Sequence, residues 1–289
     1  MNKLLILDKS VFHGTACSKL IKFVKCHRVI LPFTLYVECA ISQKDNPSND
    51  FKNPERLMQK LLKVVKNGAY AGKSPAKIVE EERLRNATIE SLVDMKQTQV
   101  MRESELDDEV DFEEVRKECD KMFESPTDFV KKWADQYYKT IGKKEKERDF
   151  RDEVDEVELV GRLVKWLRAV NEKKDDILNL YGSNGRRVVP ADGWEWQMVR
   201  LCLSWGTEMA IKRNKSGISF ESYDISNDIF DIYYVSHLSQ ADGLIAGDKK
   251  LVRPLAIAAF PDKDVFSSID EVPVRYCKSK DAMNQTNNE

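Results

Sequence analysis

The chain has 289 residues, enough for one large core or two ordinary ones. Lys and Arg number 47 against 49 Asp and Glu, so the formal net charge is −2, which excludes a globally basic nucleic-acid coat but not a local patch. The apolar run at residues 4–7 is too short for a signal-peptide core, and no later run approaches a membrane span.

In chain order, KLLILD (3–8) is a short apolar run ending on an acid and predicts a buried strand. Residues 13–26 have helical spacing, RVILP (28–32) predicts a second strand stopped by Pro32, and 34–43 a second helix. Strand alternating with helix predicts an α/β fold with a parallel sheet. The pattern then changes, and residues 46–214 read as a large, almost entirely helical insertion. Asn53, Pro54 and Gly68 bracket one of its helices as cap, first position and stop. Ser-Pro pairs open others at 74–97 and 125–142, and further helices are expected at 158–170 and 194–213. The acidic run 103–120 reads as a solvated face or link. Strand patterns return in GISFESYD (217–224), GLIAGD (243–248) and KDVFSS (263–268), with helices at 226–240 and 249–259 and a polar tail at 279–289.

Two glycine-bearing stretches suggest phosphate binding and are set aside. GAYAGKS (68–74) is one residue short of the phosphate-loop spacing and follows a helix instead of a strand. GSNGRR (182–187) reads as a loop between helices. Six cysteines without a CxxC pair, and only three histidines, argue against a disulfide framework or a histidine-rich metal site. They suit a reduced cytoplasm.

The acids are more informative. In parallel sheets, ligands bind beyond the carboxyl ends of the strands. Asp8 ends the first strand and Asp248 the GLIAG strand. Asp228 and Asp231 open the helix after 217–224, three residues apart and so on one face. Glu38 lies about a turn into the helix after the second strand. Four separate segments thus deliver carboxylates to one sheet edge, the pattern expected of a cage for a hard divalent cation, Mg2+ or Mn2+. Each acid alone has a plainer reading: Asp8 and Asp248 as turn formers, Asp228 and Asp231 as helix-start acids, Glu38 as a surface charge. Asp242 starts the GLIAG strand, roughly 20 Å from Asp248 if the strand is extended, and reads as a turn residue at the opposite edge.

ILDKSVF (6–12), ILPFTLYVECA (30–40) and NDIFDIYYVSHLSQADGLIAGDKKL (227–251) together resemble PIN domains, metal-dependent nucleases that mostly cut RNA. The resemblance implies a three-layer α/β sandwich around a mainly parallel five-stranded sheet, formed by residues 1–45 and 215–278. It implies Asp8, Glu38, Asp231 and Asp248 as the catalytic, metal-holding acids, with Asp228 as a second candidate in the helix. Lys9 stands where the family often has a small polar residue, and Ala246-Gly247 replaces a frequent threonine. Ser10 keeps a hydroxyl near the proposed ion, and Lys9, Lys249, Lys250 and Arg253 lie near the acids as candidate contacts to the substrate's phosphates. By the same resemblance the substrate is RNA, with single strands favoured because their bases can stack on aromatic side chains. The setting is a cytoplasmic toxin or defence ribonuclease with a protein inhibitor or antitoxin, with no membrane partner and with oligomerisation open. Two other readings stay open: a DNA or structure-specific nuclease of the same fold, and a catalytically inactive PIN-like binding or scaffold protein.

Overall fold

The computed structural model describes residues 3–41, 54–85, 87–88, 90–104, 130–133, 154–181, 193–215 and 225–278. Strands β1 (Leu4–Leu7), β2 (Arg28–Leu31), β3 (Tyr70–Ala71), β4 (Gly243–Ile245) and β5 (Asp264–Phe266) form one sheet in the order β3-β2-β1-β4-β5. Every neighbouring pair is parallel. β1 is apolar throughout and wholly buried, as a central strand covered on both faces must be. Ile6 lies opposite Ile30 on one side, and Leu7 opposite Ile245 on the other. The chain runs outward from β1 through β2 to β3, then returns to the far side of β1 for β4 and β5. The order therefore reverses between β1 and β4. In open parallel sheets the crevice at the carboxyl ends beside such a reversal is where ligands bind.

β3 comes from the segment read as almost entirely helical. Two residues are too few to show alternation, and the flanking Gly68 and Gly72 read as loop punctuation. Gly68 takes φ +118°, which ends helix α4 (Pro54–Lys66) and turns the chain into β3. The strand expected at 217–224 lies outside the described residues, as do the GSNGRR turn, the acidic run from 105 onward and the tail from 279.

The single helix expected at 13–26 is two. Asp8 caps α1 (Lys9–Gly14) directly after β1, and extended backbone at Thr15 and Ala16 separates it from α2 (Cys17–Cys26). The far end of α1 is held by α4. The Lys60 ammonium there donates to the carbonyls of Phe12, His13 at 3.4 Å and Thr15 at 2.7 Å, placing positive charge where a helix end is negative. α3 (Phe33–Ile41) follows Pro32. Likewise 74–97 divides into α5 (Pro75–Arg85) and α6 (Met95–Glu103), because Asp94 caps α6 by accepting the Gln97 N–H at 3.0 Å.

The remaining helices are α7 (Glu156–Glu172), α8 (Lys174–Tyr181), α9 (Trp194–Lys215), α10 (Ser226–Ser236) and α11 (Val252–Ala259). Buried Glu82 of α5 accepts the N–H groups of Trp194 at 2.7 Å and Glu195 at 3.2 Å, closing the start of α9. Buried Glu208 of α9 accepts from the Trp166 indole at 2.8 Å and pairs with Arg162 at 3.2 Å, so α7 and α9 meet over a carboxylate that is hydrogen-bonded on both oxygens. α7 also packs on α11, and the apolar residues of the sheet and these helices form one continuous core. Among the described residues no helix is long and apolar enough to cross a membrane.

Candidate functional site

Asp8 follows β1 and is only 3% exposed. Its carboxylate accepts the Ser10 N–H and, at 2.8 Å, the Ser10 hydroxyl. The same hydroxyl oxygen accepts the Gly247 N–H at 2.9 Å. Ser10 thus stitches the end of β1 to the segment leaving β4. A Cβ on residue 247 would stand 3.0 Å from Ser10 Oγ, so glycine is what permits the approach. Asp248 comes next. Its carboxylate accepts the N–H groups of Lys250 at 2.8 Å and of Leu251 and Val252, each at 3.2 Å, closing the turn into α11. The turn-former reading therefore describes part of what Asp248 does.

Glu38 sits on α3 with its side chain 11% exposed. One oxygen takes the Lys9 ammonium at 2.9 Å, the other the Tyr234 hydroxyl at 2.5 Å. Asp231 lies on α10, three residues before Tyr234 and on the same face. Among the described residues nothing donates a hydrogen bond to it. Asp228, a turn earlier, accepts from the Trp205 indole at 2.7 Å.

Electrostatics tie these groups together. Burial pushes the Asp231 carboxyl up to about 8, with Glu38, Asp248, Asp8 and Asp228 all pushing the same way. Burial likewise raises Asp8 to about 6, opposed by the two Ser10 hydrogen bonds and assisted by Glu38 and Asp248. The Tyr234 hydroxyl is held well above its ordinary value by burial and by Glu38. Glu38 and Asp248 thus make both Asp8 and Asp231 harder to ionise, as like charges gathered in a partly desolvated space do.

The donor chemistry fits a hard divalent cation, since every acid offers only oxygen. Among the described residues nothing engages either oxygen of Asp231, and the oxygens of Asp8 and Asp248 each retain lone-pair capacity beyond the bonds above. Glu38 is engaged by Lys9 and Tyr234. Among the described residues no group of three or more His, Cys, Asp or Glu side chains is arranged to hold an ion as it stands.

The candidate cations divide. Lys249 and Lys250 are exposed beside Asp248. Arg253 pairs with Glu156 of α7 at 3.3 Å, while its backbone N–H donates to the Asp248 carbonyl. Lys9 faces Glu38. Asp242 lies at the opposite edge, where its carboxylate accepts the Leu4 N–H at 2.7 Å. Tyr234 was not singled out from the sequence; its spacing of three from Asp231 on a helix is the signal that could have found it.

No family model matches the chain, and no curated protein or solved structure matches it either. Fold and site together define an α/β protein with a five-stranded parallel sheet and a cluster of mutually repelling acids beside the reversal of strand order.

Proposed function

We propose that the chain is a PIN-like, divalent-metal-dependent endoribonuclease. The observation that supports this reading is Asp231: a partly buried carboxylate with no hydrogen-bond donor among the described residues, under the electrostatic influence of four other acids. An ionised carboxylate there is costly unless a cation meets it. Asp8, Asp231 and Asp248 would hold Mg2+ or Mn2+, with Glu38 and Asp228 completing the acidic wall. When bound, such an ion activates water and offsets charge on a phosphodiester. Ser10 fixes the Asp8 carboxylate, Tyr234 fixes Glu38, and the exposed Lys249 and Lys250 meet the phosphates of a single RNA strand.

The test is cleavage of matched RNA and DNA oligonucleotides with Mn2+ or Mg2+, comparing the natural chain with Asp231→Asn. Asp231 is the cleanest position because no hydrogen bond among the described residues is lost there, whereas Asn at 248 also disturbs the turn into α11. Metal-dependent RNA cleavage that falls at least roughly 100-fold in the variant supports the reading. Cleavage of DNA alone moves the assignment to a DNA nuclease, and unchanged RNA cleavage rejects the site. One observation favours an inactive scaffold instead: Glu38 already has a cationic partner in Lys9. That reading requires that Mn2+ find no site that Asp231→Asn removes.

A further inference from the structure

We infer that Lys9 is a built-in counter-cation that competes with the divalent ion for Glu38, so that loading the site requires Lys9 to let go. The inference rests on the metal reading above and adds a control to it.

The geometry is specific. Lys9 is the first residue of α1, directly after Asp8, and its ammonium reaches across to Glu38 on α3 at 2.9 Å. The Tyr234 hydroxyl takes the other Glu38 oxygen, so the two donors share one carboxylate between them. The two donors differ in what they can do. Tyr234 is fully buried in the core, so its bond to Glu38 is a fixed part of the wall. Lys9 has a side chain 37% exposed and four rotatable carbons, so its ammonium can swing into water without disturbing the core. The ion pair is therefore the movable bond of the pair.

Charge gives the direction of the exchange. Glu38, Asp248, Asp8 and Asp228 all act electrostatically on Asp231, and Lys9 brings a positive charge to Glu38. Among the described residues no cation pairs with Asp231, and a doubly charged ion would supply one. An ion that recruits Glu38 as well comes up against the ammonium of Lys9, 2.9 Å from one Glu38 oxygen, and like charge drives the two apart. Lys9 thus lowers the cost of the empty acidic wall and raises the concentration of divalent ion needed to fill it. Once displaced, the ammonium remains on the first turn of α1, beside Asp8, where a substrate phosphate would approach.

Calorimetric titration of the full chain with MnCl2, in the absence of nucleic acid, tests this. The variants are Lys9→Met, which keeps the stem but not the charge, and Lys9→Arg, which keeps the charge. A partly exposed ion pair contributes little, so its removal should tighten Mn2+ binding by roughly two- to tenfold, with Lys9→Arg close to the natural chain. Binding by Lys9→Met alone, with none in the natural chain, also supports the inference. Mn2+ affinity that Lys9→Met leaves unchanged or weakens overturns the competition while leaving the metal reading intact. Absence of Mn2+ binding in the natural chain and in both variants removes the metal reading and this inference with it. Should Lys9→Met not fold, Lys9→Gln gives the same comparison.

Discussion

The two edges of the sheet treat their acids in opposite ways. At the amino edge, Asp264 accepts from the Tyr276 hydroxyl and from Arg275, both at 2.7 Å, and its carboxyl is held below the ordinary range, chiefly by the Tyr276 bond. Tyr276 is itself flanked by the cations of Lys3 and Arg275, and Asp242 beside it is satisfied by the Leu4 N–H. At the carboxyl edge, Asp231 and Asp8 are pushed up, and Lys9 pairs with Glu38. Burial is a large part of the contrast, since Asp8 is 3% exposed and the Asp264 side chain 36%, and the hydrogen bonds from Tyr276 and Arg275 to Asp264 add to it. One edge answers its acids with hydrogen-bond donors and cations, and the other leaves Asp231 with no donor among the described residues.

The strongest way to break that comparison is Asp231→Asn. We expect metal-dependent RNA cleavage to fall at least about 100-fold, while the metal-free protein becomes more stable. In the folded chain Asp231 holds its proton up to about pH 8, whereas in the unfolded chain it loses it near pH 4. The folded state therefore binds the extra proton between those values, and stability should fall as pH rises through that window. Thermal melts in chelator from pH 4 to 8 should show this decline in the natural chain, and the variant should flatten it. A decline unchanged in the variant would place its source elsewhere.

Tyr276→Phe probes the other edge. Losing the hydroxyl's bonds to Asp264 and to the Asp242 carbonyl should cost about 1–2 kcal/mol in urea unfolding and leave Mn2+ binding untouched. Asp264 is a depressed acid, so its contribution is present above about pH 4 and lost as pH falls further. The variant should lose part of that acid-side slope. Gly247→Ala sharpens the view of the carboxyl edge. The new methyl forces Ser10 to give way, and about 1 kcal/mol of stability together with a severalfold loss of cleavage is expected. The smallest effect belongs to Lys249→Ala and Lys250→Ala. Each should weaken binding of single-stranded RNA modestly and lower the slope of log affinity against log salt by roughly one.

The contrast between the edges was partly legible in the sequence. Acids placed at strand ends follow from strand boundaries, and those are readable wherever an apolar run stops at a charged residue, as at Asp8 and Asp248. Asp242 could be assigned to the far edge by strand length alone. What could not be read is who answers each acid. Tyr276 reaches Asp264 and Tyr234 reaches Glu38 through tertiary packing, and no local pattern names such partners. The Lys9 contact to Glu38 spans 29 residues and depends on α1 starting at once after β1. The sequence reading began that helix at His13, so it could place Lys9 near the acids but not on one. β3 escaped because a two-residue edge strand has no periodicity to detect.

Lys60 reaches from α4 to the exposed carbonyls at the end of α1, and Tyr70 and Ala71 add the outermost strand. Both belong to the stretch that looks, on paper, like something added to a smaller protein. Splicing residue 45 directly to 215 would strip the sheet of its rim and leave the short helix that presents Asp8 and Lys9 unbraced. A shortened version is thus expected to lose its cluster of acids along with the surplus helices, and the chain is better regarded as one interlocked unit than as a small α/β core wearing an appendage.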